Sequence, residues 1–107
     1  MNFEEYQKQA KTTAIYTDKV IYPTLGLCGE AGEVAEKIKK RLRDHNAGYG
    51  DPVFRCDVVK ELGDVLWYIS NLASDLDLKL DDIANINLDK LASRKERNQI
   101  SGSGDNR

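Results

Sequence analysis

The sequence predicts an all-α protein, a four-helix protomer built as an antiparallel bundle that assembles into a homo-oligomeric bundle. Apolar residues recur at helical spacing along most of the chain, most regularly between Val53 and Leu76. No segment alternates apolar and polar residues as a half-buried strand does. A chain of 107 residues, 40% of them hydrophobic, forms one small core, which oligomerisation commonly stabilises further.

The first half of the chain contains two predicted helices. Residues 3–16 form the first, with Asn2 as its N-cap and Glu5 in the capping-box position. The second helix begins near Pro23, a residue suited to a first helical turn, and ends near Arg43. The basic residues at this end interact favourably with the helix dipole and need no ligand to explain them.

The second half of the chain holds the two remaining helices. A loop is predicted over residues 44–51, which combine two glycines with Asn and Asp. The third helix follows over about residues 53–76, and the fourth over about residues 81–97. We therefore expect one domain over residues 1–98, followed by a flexible C-terminal tail over residues 99–107.

Charge and hydropathy argue against several classes of partner. The formal net charge of −2 leaves no excess of basic residues for a nucleic-acid backbone. No apolar run approaches the ~20 residues that span a bilayer, and the N-terminus lacks the pattern of a signal peptide. We therefore expect a cytoplasmic protein without nucleic-acid or membrane partners. Cys28 and Cys56 lack CxxC spacing and are expected to be free thiols.

One short motif occurs twice, once in the second helix and once in the third. The segments GEAGEVAEKI and KELGDVLWYI carry acids, glycines and apolar residues at matching positions. Projected at about 100° per residue, both segments place their two acids on the same side of the apolar stripe. The matching pairs are Glu30 with Glu61, Gly32 with Gly63, Glu33 with Asp64, Val34 with Val65 and Ile38 with Ile69.

The repeated acids predict a metal site. Residues three apart are neighbours on a helix surface, so two helices packed face to face bring all four acids together. Close carboxylates repel one another, and a hard divalent cation with oxygen ligands removes that repulsion. His45 is the only histidine and falls in the predicted loop, which argues against a di-iron or zinc site and leaves Mg²⁺ or Mn²⁺. The candidate ligands are Glu30, Glu33, Glu61 and Asp64.

Each feature of the repeat also has a plain structural explanation. An isolated Glu-x-x-Glu in a chain with 32% charged residues is usually a solvated surface, but two correlated pairs at one helical phase favour metal binding. We interpret Gly32 and Gly63 as sites of close helix packing, which is compatible with a metal site. Glu36 is interpreted as surface, because Trp67 occupies the matching position in the third helix.

The two acidic motifs resemble those of the MazG-type all-α nucleotide pyrophosphohydrolases, which are related to dimeric dUTPases. The resemblance rests on Glu30-x-x-Glu33 and Glu61-x-x-Asp64 in the contexts GLCGEAGEVAEKIKK and KELGDVLWYISNLA, and it covers most of the chain. The family signature often begins with two adjacent glutamates. Here Gly29 stands in place of the first, a departure that bears on substrate specificity.

The resemblance continues into the predicted fourth helix. The segment INLDKLASR is similar to the closing segment of the family, in which an asparagine, a lysine and an arginine lie near the substrate phosphates; the matching residues here are Asn87, Lys90 and Arg94. Lys90 and Arg94 are four residues apart, so they lie on one helix face and can share the charge of a triphosphate.

The resemblance implies hydrolysis of a (deoxy)nucleoside triphosphate between its α and β phosphates, which yields a nucleoside monophosphate and pyrophosphate. Mg²⁺, or Mn²⁺, held by the four acids binds phosphate oxygens and lowers the pKa of a bound water in such a site. A carboxylate not fully used in coordination accepts the water's proton, and Glu33 and Glu30 are the two candidates. The family also implies house-cleaning of nonstandard or surplus nucleotides.

Further residues are candidates for contacts with the substrate. Tyr68 and Asn71 project to the acidic side of the third helix and are retained as substrate-binding candidates, whereas Trp67 projects elsewhere and is assigned to packing. Three tyrosines near the second helix can line a pocket: Tyr6, Tyr16 and Tyr22.

Family members assemble as homodimers or as homotetramers made of two dimers, so an active site can draw residues from a neighbouring subunit. The competing hypothesis is a non-catalytic helical interaction module that kept the bundle and lost turnover, and the intact set of four carboxylates argues against it. A third possibility is an enzyme of the same fold that also hydrolyses nucleoside diphosphates.

Overall fold

The computed structural model describes residues 1–44 and 48–107, which form an all-α arrangement. The predicted all-α class with four helices is confirmed, and the assembly into a homo-oligomer stays a prediction. The loop prediction for His45 concerns a residue outside the described part of the chain. The helices are α1 (Phe3–Lys11), α2 (Ile21–Asp44), α3 (Pro52–Asp75) and α4 (Leu80–Glu96).

Helix α1 starts as predicted and ends earlier. The side-chain oxygen of Asn2 accepts a hydrogen bond from the backbone N–H of Glu5 at 2.8 Å, which satisfies one free donor of the first turn. The predicted end at residue 16 is wrong, because α1 ends at Lys11. The hydroxyls of Thr12 and Thr13 donate to carbonyls three residues earlier and so compete with continuation of the helix.

The connection between α1 and α2 is fastened to the end of α3 by Asp75. One carboxylate oxygen of Asp75 accepts hydrogen bonds from the hydroxyl of Tyr16 at 2.8 Å and from the backbone N–H of Val20 at 2.9 Å. Val20 has a φ of 68°, a left-handed conformation that β-branched residues rarely adopt. The two hydrogen bonds hold this turn in place, and α2 then begins with Pro23 buried in its first turn.

Helices α2 and α3 form an antiparallel hairpin with the most extensive packing of any helix pair described. The side chain of Asp51 caps α3 by accepting a hydrogen bond from the backbone N–H of Val53 at 3.1 Å, and Pro52 follows the cap. Arg41 joins the end of α2 to this cap, because its guanidinium lies 3.4 Å from Asp51 and 5.3 Å from the ring centre of Phe54. The hairpin sets the two acidic motifs side by side.

A glutamine of α1 organises the corner between α3 and α4. The amide nitrogen of Gln7 donates to the hydroxyl of Ser74 at 3.0 Å and to the carbonyl of Leu78 at 2.8 Å. Its amide oxygen accepts from the backbone N–H of Leu80 at 2.8 Å. Gln7 thus satisfies a donor in the first turn of α4, whose N-cap residue Lys79 makes no side-chain cap bond.

The folded chain is more open than a compact chain of similar length. Its radius of gyration is 16.7 Å, against about 13 Å for a compact domain of about 100 residues. In the described segments, the buried hydrophobic side chains include Ala10, Ala73 and Leu80, whereas Ile86 and Leu88 of α4 remain 67% and 62% exposed. None of the helices within these segments combines the length and apolar composition that a bilayer crossing requires.

Candidate metal centre

Three carboxylates converge where α2 and α3 pack together. Glu30 comes from α2, and Glu61 and Asp64 come from successive turns of α3. One oxygen of each carboxylate lies within 4.8 Å of the others. Glu30 and Glu61 are partly buried and Asp64 is exposed, so the group opens to solvent on one side. Three of the four predicted ligands are therefore brought together.

The pKa of Glu30 reflects this crowding. Burial, the negative charges of Asp64 and Glu61, and a hydrogen bond with Glu61 raise the pKa of Glu30 above its ordinary value. A hydrogen bond between two carboxyl groups requires a proton on one of them. A cation among these oxygens can take the place of that proton.

The fourth predicted ligand, Glu33, lies at the edge of the group of three carboxylates. Glu33 is exposed and outside the group of three, although its charge also contributes to the raised pKa of Glu30. Glu36, one turn further along α2, is exposed and pairs with Lys39 at 2.8 Å, as expected of a surface residue. Glu33 is thus close to the group without converging on the same point.

The donor set fits a hard divalent cation. Carboxylate oxygens are the ligands that Mg²⁺ and Mn²⁺ prefer, whereas zinc prefers histidine and cysteine. Three carboxylates leave coordination positions for water and phosphate oxygens, as is usual for Mg²⁺ bound with a nucleotide. Both cysteines are free thiols and exposed, which agrees with their assignment outside the site.

Lys37 borders the carboxylate group. Its ammonium nitrogen lies 3.8 Å from Oε1 of Glu61, an ion pair that joins α2 to α3. The side chain of Glu61 is 19% exposed and that of Lys37 is 37% exposed. Sequence reasoning missed Lys37, although its place one turn after Glu33 and two turns after Glu30 puts it on the acidic face of α2.

Tyr68 lies beside the carboxylates, in agreement with its position one turn after Asp64. Burial, a hydrogen bond with Tyr22 and the charges of Tyr22, Glu30 and Asp64 raise the pKa of Tyr68. Its ring covers the backbone of α2 at Gly26, where a Cβ would collide with the ring. Sequence reasoning missed Gly26 as well, because a contact across two helices leaves no local pattern around the glycine.

Two other residues of α3 turn inward. Trp67 donates its Nε1–H to the hydroxyl of Thr13 at 2.9 Å, a bond that ties α3 to the segment after α1, and its packing role stays a prediction. Asn71 is 1% exposed, and its amide donates to the carbonyls of Trp67 at 3.1 Å and Ala10 at 3.4 Å. The structure therefore places Asn71 in the core between α1 and α3, and not on an accessible surface of the site.

The three tyrosines predicted to line a pocket occupy two places. Tyr16 and Tyr22 stack with ring centroids 4.9 Å apart, and Tyr22 lies 6.2 Å from Tyr68. Tyr6 of α1 lies near the carboxylates, since burial and then the charge of Asp64 raise the pKa of Tyr6. Aromatic side chains from three helices thus adjoin the carboxylate group.

On α4, the predicted substrate-binding cations contact the C-terminal segment. Arg94 is buried, and its Nη2 donates to the backbone carbonyl of Asp105 at 2.6 Å. The ammonium of Lys90 lies 3.5 Å from the carboxylate of the same aspartate, and Asn87 is exposed. Residues 99–107 fold back along α4 in this arrangement, and their flexibility stays a prediction.

The paired glycines of the repeat do not mediate close packing within this chain. A Cβ at Gly32 or Gly63 would meet no described atom within 4 Å outside its own neighbourhood. The packing interpretation is wrong for contacts within the described chain. Both glycines are exposed, so the helix backbones beside the acids remain accessible.

Fold and site together define a class, the all-α proteins whose paired helices bring carboxylates together in a group that suits a divalent cation. The chain belongs to the MazG nucleotide pyrophosphohydrolase domain family, whose family model matches residues 23–98. A protein of Mycobacterium phage L5, described as "Gene 37 protein", is 47% identical to it over 115 aligned positions that cover the whole of both chains. That description states no activity. No solved structure matches the chain.

Proposed function

We propose that the chain hydrolyses (deoxy)nucleoside triphosphates between the α and β phosphates, with Mg²⁺ as cofactor and Mn²⁺ as a substitute. The products are a nucleoside monophosphate and pyrophosphate, and the role is removal of nonstandard or surplus nucleotides. The observation that carries the proposal is the convergence of Glu30, Glu61 and Asp64 from two helices, in a chain of the MazG nucleotide pyrophosphohydrolase domain family.

The proposed reaction is an in-line displacement. A water oxygen bonds to one of the two phosphorus atoms that flank the bridging oxygen, the bond from that phosphorus to the bridging oxygen breaks, and the bonding electrons leave with the bridge. Glu30, Glu61 and Asp64 hold the cation, which supplies charge neutralisation and a lowered pKa for the attacking water. The protein contributes by fixing the positions of these carboxylate oxygens.

Glu33 is the better candidate for general base. Its carboxylate lies outside the converging group, so its oxygens are less engaged in coordination than those of Glu30. It is exposed and only one turn from Glu30, a position from which it can accept the proton of the attacking water. Glu30 is the less suitable candidate, because the same oxygens would have to serve as ligand and base.

For the substrate, we propose contacts with Tyr68 and with the cations of α4. Tyr68 offers an aromatic face beside the carboxylates for the nucleoside. Lys90 and Arg94, with Asn87 on the same helix, are assigned to the phosphates, which requires that the C-terminal segment release both cations. Asn71 contributes indirectly by fixing α3 against α1.

We further propose that the functional form is a homodimer or a homotetramer. The open shape of the protomer and the exposed apolar side chains of α4 support this, because burial of such side chains against a second copy is favourable. A neighbouring subunit can then supply α4 to complete the substrate site.

A panel assay tests the proposal. The purified chain is incubated with ribo- and deoxynucleoside triphosphates, and with the diphosphates, in the presence of Mg²⁺ or Mn²⁺, and release of pyrophosphate and monophosphate is followed. We expect equal amounts of the two products from at least one triphosphate, with no turnover in EDTA. Absence of turnover with every nucleotide under both metals would favour the non-catalytic interaction module.

A further inference from the structure

We propose that Lys37 is the internal cation of the carboxylate site: it neutralises Glu61 while the site lacks a metal, and it binds a phosphate oxygen once metal and triphosphate are present. This inference deepens the proposed function and rests on it for the identity of the phosphate ligand.

The ion pair of Lys37 is the first observation. Its ammonium lies 3.8 Å from Oε1 of Glu61, one of the three converging carboxylates. Lys39, two residues along α2, pairs instead with the surface residue Glu36 and is 61% exposed. Within the described segments, Lys37 is the lysine whose ion pair reaches the carboxylate group.

The space around Lys37 is the second observation. Lys37 lines an open cleft of about 230 Å³ between the C-terminal part of α2 and the start of α3, together with Arg41, Asp51 and Phe54. Arg41 is held there by Asp51 and by the ring of Phe54. The flexible lysine stem borders the carboxylates on one side and open space on the other, so its ammonium can shift without movement of the backbone.

Competition between the Lys37 ammonium and a divalent cation for Glu61 explains how Lys37 would change its partner. A divalent cation bound to Glu61 neutralises its charge and repels the ammonium, so metal binding weakens the Lys37–Glu61 ion pair. A triphosphate held by the metal brings anionic oxygens to the same place. The released ammonium can then donate a charge-assisted hydrogen bond to a phosphate oxygen.

Removal of the Lys37 charge therefore has opposite effects on two ligands. Lys37→Met keeps an unbranched apolar stem of similar reach and removes the ammonium. We expect Mn²⁺ alone to bind this variant about twofold to fivefold more tightly, since a competing cation is gone. We expect inorganic tripolyphosphate, in the presence of saturating Mg²⁺, to bind it about tenfold more weakly.

Two further variants control the comparison. Lys39→Met makes the same change in net charge on the same helix, and it should match the unsubstituted chain in both measurements. Lys37→Arg keeps the charge and should bind Mn²⁺ as the unsubstituted chain does and tripolyphosphate within about threefold of it. Mn²⁺ binding is read by electron paramagnetic resonance, tripolyphosphate binding by calorimetry, and folding of each variant by circular dichroism.

The outcomes separate this inference from the proposed function. Unchanged or weaker Mn²⁺ binding by Lys37→Met, or tripolyphosphate binding equal to that of Lys39→Met, overturns the role of Lys37 even if nucleotides are hydrolysed. A chain that hydrolyses no nucleotide overturns the proposed function. In that case the Mn²⁺ comparison still decides whether Lys37 competes with a metal at Glu61.

Discussion

The ring of Tyr68 on α3 occupies the space over α2 that a Cβ of residue 26 would need, and residue 26 is glycine. Glycine inside a helix costs about 1 kcal/mol relative to alanine, so the glycine that permits this contact destabilises α2. The glycine allows the ring to approach the α2 backbone one turn before Glu30. The phenol of Tyr68 also forms a hydrogen bond with the phenol of Tyr22. The absence of a side chain at Gly26 therefore leaves the space that the Tyr68 ring occupies.

Gly26→Ala tests this contact. The added methyl group must push the Tyr68 ring away, and we expect a loss of about 1–3 kcal/mol in the free energy of unfolding despite the better helix propensity of alanine. Gly29→Ala is the matched control, because a Cβ there meets no described atom within 4 Å, and it should gain about 0.5–1 kcal/mol. Denaturant titrations measure both changes. Equal stability of the two variants would contradict the close approach.

The convergence of the acids was predictable because helical phase is a local property. Residues three apart share a helix face whatever the rest of the chain does, so each acidic motif could be oriented from its own sequence. The same reasoning included Glu33, which lies on the solvent side of the group. Which of several acids on one face converge depends on how the two helices are rotated against each other.

Two of the unpredicted features are contacts between helices. Lys37 meets Glu61 and Gly26 meets Tyr68 only because α2 and α3 pack in one particular register. The early end of α1 was missed because Thr12 bonds back to its own backbone, a competition that apolar periodicity does not record. The α4 cations were placed by resemblance, and their position relative to the carboxylates depends on tertiary packing and assembly.

Glu61→Gln tests the metal centre while preserving the shape of the side chain. The variant removes one charge from the converging carboxylates, and we expect kcat to fall at least about a hundredfold with loss of the stabilisation that Mg²⁺ gives to the folded chain. Glu36→Gln makes the same change on the surface beside Lys39 and should behave as the unsubstituted chain. Pyrophosphate release and thermal unfolding with and without Mg²⁺ are the measurements. Near-normal turnover by Glu61→Gln would remove it from the site.

Glu30→Gln separates stability from metal binding. Burial and the charges of Asp64 and Glu61 raise the pKa of Glu30, so the charged carboxylate is less favourable in the folded metal-free chain than in the unfolded chain. A permanently neutral glutamine should therefore raise the melting temperature in EDTA at neutral pH and reduce the further rise on addition of Mg²⁺. A variant that melts lower than the unsubstituted chain in EDTA would show that repulsion at this position is unimportant.

We expect the ionisation of Tyr16 to lower the free energy of unfolding at alkaline pH. Burial, its hydrogen bond to Asp75 and the charge of Asp75 raise the pKa of Tyr16 to about 12, against about 10 in an unfolded chain. The neutral phenol is the form that the fold favours, so its contribution is complete below about pH 10 and is lost as pH rises from about 10 to about 12. Tyr16→Phe should cost about 1 kcal/mol at neutral pH and lose that alkaline dependence.

Urea titrations across this range measure the difference between Tyr16→Phe and the unsubstituted chain. Tyr49→Phe serves as control, because the Tyr49 ring is exposed beside Phe54. We expect Tyr49→Phe to change the free energy of unfolding by less than about 0.5 kcal/mol. Parallel pH curves for Tyr16→Phe and the unsubstituted chain would mean that Tyr16 is not the titrating group.

The exposed apolar side chains of α4 predict the face through which copies of the chain associate. Ile86 is 67% exposed, and burial of such a side chain contributes about 2 kcal/mol, so a charge placed there should weaken association about a hundredfold or more. Ile86→Asp is compared with Asn85→Asp, which adds the same charge at an exposed polar position of α4. Sedimentation equilibrium should find Ile86→Asp monomeric where Asn85→Asp and the unsubstituted chain are dimers or tetramers. An unsubstituted chain that stays monomeric at about 100 μM would rule out assembly as the reason for this exposed surface.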